Sequence, residues 1–410
     1  MNINVKNTGK NMVTALDITA STLVSALGHG KQAHLAAIQQ QRSGLRPQVT
    51  DLDTKLSAYF GAVSDLASVQ LPEGLAHFDC RNHRLAWAAL QADAFQVAVT
   101  NAASHYGSHR IGLALGTSTS GILATEEVLA YREAHGRFAE NYDYTATHRM
   151  NALTDFCASA LAITGPRLTI STACSSSAKV FASAARWFAH DLVDAVVVGG
   201  VDSLCLTTIH GFNALGLVSR GITRPLDAER DGINIGEAGG FMLLERAKPE
   251  QLGVCLMGYG ESSDAYHISS PQPEGEGAAE AMRQALARAG IAPSDIDYIN
   301  LHGTGTPSND LAESKAIHSV FGEHLPAHSS TKGFTGHTLG AAGITEAVLV
   351  ELALLNHLLL PNLNLQQVDS ALQLNPVKQT QAQALTWALS NSFGFGGNNA
   401  SLVFALKEKR

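Results

Sequence analysis

Short apolar runs that do not alternate with polar residues, interleaved with Ala-rich stretches, constrain this chain more than any other feature. Ile111–Leu115 (IGLAL), Ala195–Val198 (AVVV), Gly239–Leu244 (GGFMLL) and Tyr298–Leu301 (YINL) are of this kind. Strands without a polar face must be covered on both sides, which requires a layered α/β fold. Helices are expected over Leu85–Ala103, Ala178–Ala189, Gly277–Ala289 and Ile344–Leu355. With 45% apolar, 16% charged and 37 Gly among 410 residues, the chain can bury a large, closely packed core.

A net charge of −8 excludes a general nucleic-acid binder, which needs a basic face. Cys80, Cys157, Cys174, Cys205 and Cys255 are odd in number and contain no CxxC pair, so neither a disulfide framework nor a zinc site is expected. The N-terminal stretch is polar and lacks the apolar core of a signal peptide. The apolar run Val348–Leu360 is interrupted by Glu351, Asn356 and His357 and is too short to span a bilayer. A reduced, cytoplasmic setting is the expectation, with no membrane span.

Ser262–Gly277 (SSDAYHISSPQPEGEG) reads as a loop and divides the chain into halves, 1–261 and 262–410. In the first half LTIST leads to Cys174 and a small-residue helix. In the second, a run ending in SST leads through GFTGH to His337 and another such helix. Reactive side chains at comparable strand-to-helix junctions suggest an internal duplication.

Four segments bear chemistry. In STACSSSA a lone cysteine would ordinarily be a packing residue. Cys174, however, follows a strand and precedes a helix, where unpaired N–H groups and the helix dipole favour a thiolate. In NLHGTGTPSND, His302 follows a strand directly. Gly303 and Gly305 permit a tight turn along which Thr304 and Thr306 could bind an amide-bearing arm, or simply cap the turn. TKGFTGHTLGAAG lacks a phosphate-loop ending and presents His337 at a helix start. Lys332 just upstream could pair with Asp310 or Glu313, or stand in solvent. SNSFGFGGNN supplies free backbone N–H groups and two phenylalanines, the material of an oxyanion hole and an aromatic gate.

Together, and with TRPLDAERDGINIGEAGG and SSDAYHISSP, these segments resemble the β-ketoacyl-[acyl carrier protein] synthases of the type I/II class, from about Ile18 to Phe404. The resemblance implies a thiolase-like fold of two pseudo-symmetric halves with α-β-α-β-α layers. It implies Cys174 as the acylated nucleophile, and His302 and His337 as the pair that promotes decarboxylation and stabilises the enolate. Lys332 and Glu313 become the charged pair behind them, with Asp310 nearby. Thr304 and Thr306 become ligands of the carrier's phosphopantetheine arm. The backbone amides of Cys174 and Phe395 form the oxyanion hole, and Phe393 and Phe395 belong to a gating loop. The implied activity is decarboxylative Claisen condensation of malonyl-carrier with an acyl chain on Cys174, extending a fatty-acid-like or polyene chain by two carbons. No metal or cofactor is implied beyond the carrier's own arm.

Two histidines, rather than His with Asn, favour the elongating class. With no cysteine after Cys255, a thiolase, which uses a second catalytic cysteine near its C-terminus, is disfavoured. GFGGNN places Asn398 where the family commonly has threonine, and GTSTSGI places Thr119 in the region expected to form the acyl pocket. These departures look closer to specialised ketosynthases, such as those of aryl polyene pathways. The implied partners are an acyl carrier protein, with Arg81 and Arg84 as contacts or as mere helix-start charges, and a second subunit. That subunit would be either another copy or a chain-length factor. Competing readings are a chain-length factor itself, a Cys–His thioester hydrolase and a structural scaffold.

Overall fold

The computed structural model of the protein describes residues 15–48, 52–139 and 142–408. Ten principal strands carry the fold: β1 Leu16–Ser25, β2 Ile111–Gly116, β3 Arg167–Ile170, β4 Ala195–Asp202, β5 Ala238–Arg246, β6 Gly253–Ser263, β7 Tyr298–Asn300, β8 Ala327–Ser329, β9 Trp387–Gly394 and β10 Asn398–Lys407. Their spatial order is β3-β2-β4-β5-β1 followed by β6-β10-β9-β7-β8. Numbered within each half and read from its outer edge, both sets run 3-2-4-5-1. In both, the first two neighbouring pairs are parallel and the last two antiparallel. The duplication suggested by the two junctions is therefore written in the strand order. The halves meet where β1 and β6 pair over only Leu16–Leu256 and Asp17–Cys255. The division expected after Glu261 falls inside β6 rather than in a loop.

Six helices complete the layers: α1 Arg81–Gln91, α2 Phe95–Tyr106, α3 Ser176–Ala189, α4 Glu276–Ala289, α5 Pro307–Phe321 and α6 Ala342–Asn356. α1 and α2 cover the outside of the first sheet. α4 covers the outside of the second, with α5 behind it. α3 and α6 lie between the sheets and touch both. The result is the α-β-α-β-α architecture of the thiolase-like fold.

The middle layer explains the chain's composition. Every residue of α6 from Ala342 to Leu354 is buried, so this helix has no polar stripe. It is apolar and long enough to resemble a membrane span, but here it is the core helix. Each fully buried Leu, Ile or Val there contributes roughly 1.5–3 kcal/mol relative to exposure. Close approach of α3 and α6 requires small residues: a Cβ on Gly343 would stand 2.5 Å from the Ala178 nitrogen. The Ile344 N–H donates to Ser177 Oγ across the same contact at 3.0 Å.

One expected helix is broken. Leu85–Ala103 divides at Asp93 and Ala94, which both adopt left-handed backbone (φ 53° and 55°). The break places the Asp93 carboxylate at the start of the helix Gly30–Gln39, where the Lys31 N–H donates to it at 3.1 Å.

Candidate active site

Both strand-to-helix junctions contain a non-glycine residue in left-handed conformation, Ala173 (φ 51°) and Leu339 (φ 53°). Ala173 turns the chain sharply, so that Cys174 stands at the foot of α3. Cys174, His302 and His337 converge from three separate segments, and Cys174 Sγ and one ring nitrogen of each histidine all lie within 4.8 Å of one another. The two imidazoles meet edge to face, with ring centres 5.3 Å apart. They face a narrow cavity of about 60 Å³, lined also by Thr304, Thr306, Phe393 and Phe395.

His302 is fixed through its backbone. Its N–H and that of Gly303 each donate to the Glu313 carboxylate at 2.8 Å, and Asn391 donates to the same carboxylate at 3.2 Å. Lys332 Nζ donates to the His302 carbonyl, stands 3.4 Å from His302 Nδ1 and pairs with Glu346. An ammonium beside Nδ1 requires a lone pair there, so the ring proton sits on Nε2. His337 is held by its N–H donating to the Asn234 carbonyl (2.7 Å) and its carbonyl accepting from Gly236 N–H (2.9 Å).

Burial lowers both imidazoles well below their ordinary range, and the Lys332 charge lowers them further. Both are neutral hydrogen-bond donors rather than imidazolium ions. Burial also pushes the Cys174 thiol up to about 12, against the pull of Lys332 and the Phe395 N–H. The helix-start position does not produce a resting thiolate, because desolvation outweighs it. Cys80 and Cys255 are raised to about 12 as well. Among the five cysteines, Cys174 is singled out by the cavity and the two histidines, not by its acidity.

SNSFGFGGNN is a tight hairpin between β9 and β10, with Phe395–Gly397 as its turn. Phe393 lies within β9, just before the turn, lines the cavity, and has its ring centre 5.8 Å from that of His302. The Phe395 ring rests on Phe212. The hairpin passes so close to the nucleophile that a Cβ on Gly394 would be 3.2 Å from the Cys174 nitrogen and 2.7 Å from the Thr172 oxygen. Gly394 thus packs against the Cys174 backbone, and the Phe395 N–H reaches the Cys174 thiol.

Residues 17–250 match the beta-ketoacyl synthase N-terminal domain, and residues 254–366 match the C-terminal domain of the same family. The chain belongs to the β-ketoacyl synthase family. The synthase is 32% identical to 3-oxoacyl-[acyl-carrier-protein] synthase 2 of Coxiella burnetii over 95% of this chain and 97% of that one. A chain of the ketosynthase (ApeO)–chain length factor (ApeC) complex from Xenorhabdus doucetiae superposes with TM-score 0.87 and 37% identity, covering 96% of this chain and 98% of that one. A chain of AntDE:AntF, a type II PKS acyl-carrier protein in complex with its ketosynthase, gives TM-score 0.83 and 25% identity, covering 97% and 100%. As a member of this family the synthase is an acyltransferase.

The structure corrects several site expectations. Lys332 pairs with Glu346 on α6, not with Glu313, whose oxygens are taken by backbone N–H groups. Asp310 instead pairs with Arg230 at 3.3 Å and accepts the N–H groups of Leu226 and Gly305. Thr119 is fully buried and donates to Asp202 at 2.9 Å, so it is not part of the cavity lining. Thr304 and Thr306 do line the cavity. They bond to each other at 2.9 Å, and Thr306 also caps α5, as the turn-capping reading expects.

The two arginines expected at a carrier interface differ in setting, Arg81 being largely buried and Arg84 partly exposed. Arg81 makes a two-pronged pair with the buried Glu237 (2.7 and 2.8 Å), and its side chain is 9% exposed. Arg84 is paired in the same way with Asp79 (2.6 and 2.7 Å). Asn398 accepts from Lys179 at 3.3 Å at the start of β10. Glu346 and Asp202 went unread: neither lies in a glycine-rich motif, and only tertiary packing brings them to the site.

Proposed function

We propose that the synthase extends a carrier-bound acyl chain by two carbons through decarboxylative Claisen condensation. The convergence of the Cys174 thiol and two neutral imidazoles on one cavity carries this reading. In the first half-reaction Cys174 attacks the acyl thioester. The acyl–sulfur bond to the carrier breaks, the Cys174 proton passes to the departing thiol, and acyl-Cys174 results. The buried thiol loses its proton only during this exchange, to the departing carrier thiol.

Malonyl-carrier then occupies the same cavity, with Thr304 and Thr306 beside its amide arm. Loss of CO2 leaves an electron pair delocalised onto the thioester oxygen. His302, whose proton is on Nε2, and His337 donate to that oxygen. One such donor is worth about 3–4 kcal/mol in a preorganised site. The carbanion attacks the acyl-Cys174 carbonyl, whose oxyanion faces the Cys174 and Phe395 amides. Collapse expels the cysteine thiolate, which is reprotonated, and releases 3-oxoacyl-carrier. Every step is supplied by substrate thioesters and side chains, so the proposal needs no metal or further cofactor.

The proposed partners are an acyl carrier protein and a second synthase-like subunit. Likeness to the ApeO–ApeC complex over nearly the whole chain favours a specialised pathway and a chain-length-factor-like partner over a housekeeping homodimer. Coexpression with such a subunit followed by measurement of complex mass tests that choice. The reaction itself is tested by supplying acyl-carrier and malonyl-carrier and identifying the products. Release of CO2 with 3-oxoacyl-carrier supports the proposal. Free fatty acid without a new carbon–carbon bond supports the hydrolase reading instead.

A further inference from the structure

Asp202 ends β4, is fully buried, and holds together two segments that the catalytic geometry depends on. Its Oδ1 accepts the Thr117 hydroxyl (2.7 Å), the Ser118 N–H (2.7 Å), and the Thr119 N–H and hydroxyl (both 2.9 Å). Its Oδ2 accepts the Ser118 hydroxyl and, from the other half of the molecule, the Gly340 N–H at 2.6 Å. The end of β2 that leads directly into the loop held by Oδ1 backs the start of α3: a Cβ on Gly116 would stand 2.4 Å from the Ser177 nitrogen. The segment held by Oδ2 follows His337 immediately and includes the left-handed Leu339.

We propose that Asp202 is a positioning residue that fixes His337 against the Cys174 helix through the Gly340 N–H. The inference rests on the reading of His337 as an enolate donor given above. The division of donors between the two oxygens makes it testable. Asparagine keeps one oxygen for the Thr117–Thr119 loop but places an N–H-bearing nitrogen opposite the Gly340 N–H. Two donors then face each other, and only the link to the His337 segment is lost. The Ser118 hydroxyl can rotate to accept, whereas a backbone N–H cannot.

The test compares both half-reactions in Asp202→Asn, His337→Ala and the parent. Acylation of Cys174 by acyl-carrier is timed by intact mass, and malonyl-carrier decarboxylation is followed by CO2 release. Asp202→Asn is expected to acylate within about twofold of the parent. Its decarboxylation kcat should fall on the order of tenfold or more with KM unchanged, as for small misplacement of a reacting group. Unchanged decarboxylation, or equal losses in both half-reactions, overturns the inference. If Asp202→Asn does not accumulate as folded protein, Gly340→Ala decides. Its Cβ would stand 2.7 Å from Asp202 Oδ2 and 2.8 Å from the Ser118 nitrogen, so it wedges the His337 segment away from the Asp202-held loop, and unchanged decarboxylation in it overturns the inference. A parental rate in His337→Ala overturns the reading of His337 and this inference with it, whereas a loss in His337→Ala alone overturns only this inference.

Discussion

Lys332 and Glu346 form a buried ion pair fourteen positions apart in sequence, and the same ammonium donates to the backbone carbonyl of His302. The pair therefore belongs to both stability and chemistry. It neutralises a cation inside the core, and it sets which nitrogen of His302 carries the proton.

These two roles separate on mutation. Glu346→Gln leaves Lys332 buried without its counter-charge and is expected to destabilise the protein by about 3–5 kcal/mol. Lys332→Met combined with Glu346→Leu removes both charges at similar volume and should regain most of that stability. Decarboxylation should stay impaired in the double variant, because nothing then fixes the His302 tautomer. Denaturant unfolding and CO2 release measure the two effects. Restoration of both together would show that the pair is structural only.

The raised Cys174 thiol fixes the sign of a pH dependence. A group pushed up to about 12 by burial is protonated throughout the neutral range. Because the thiolate is the reactive form, alkylation of Cys174 by a small haloacetamide should rise about tenfold per pH unit from neutral upward. No levelling should occur near the ordinary thiol value. Lys332→Met removes the charge that draws the thiol down and should slow the reaction further. Alkylation rates resolved by peptide mapping check both statements, and a plateau near pH 8.5 would contradict them.

The two histidines have the opposite shift, and their linkage to stability follows from it. A folded-state value below the unfolded one means that the unfolded chain takes up protons first as pH falls. Their contribution is thus present above about pH 6.5 and is lost as pH drops toward their lowered values. His302→Gln with His337→Gln should flatten the loss below pH 6.5, as measured by unfolding midpoints against pH.

Much of this was legible in the sequence because the decisive residues sit in local punctuation. Cys174, His302 and His337 each follow a strand or a glycine turn, where the chain must expose backbone and side chain together. The helices Ser176–Ala189, Glu276–Ala289 and Ala342–Asn356 matched their apolar, small-residue runs within a few positions. What could not be read depends on tertiary placement. Glu346 is one of two glutamates on a helix buried all round, so nothing local says that it faces Lys332. Asp202 looks like the end of a strand until Gly340 arrives from the other half. Arg81 resembles a surface charge at a helix start until Glu237 is found beneath it. The break at Asp93 and Ala94 contains neither glycine nor proline, so no residue announces it.

Packing of the middle layer yields a prediction independent of catalysis. Gly343→Ala drives a Cβ to 2.5 Å from the Ala178 nitrogen in α3, where backbone must shift. Overpacking of this kind typically costs about 1–3 kcal/mol. Thermal unfolding should reveal that loss, while Gly136→Ala, whose Cβ meets open space, should lose only what its left-handed backbone (φ 73°) demands.

The central claim is that Cys174 holds the growing chain while His302 and His337 act on the second substrate. The most direct measurement is intact-protein mass after mixing the synthase with acyl-carrier alone, followed by peptide mapping. The account predicts one acyl group on Cys174, none in Cys174→Ala, and retention of the adduct in His337→Ala even after malonyl-carrier is added. Absence of an acyl adduct from Cys174 in the folded parent, or its appearance on another residue, would contradict the account.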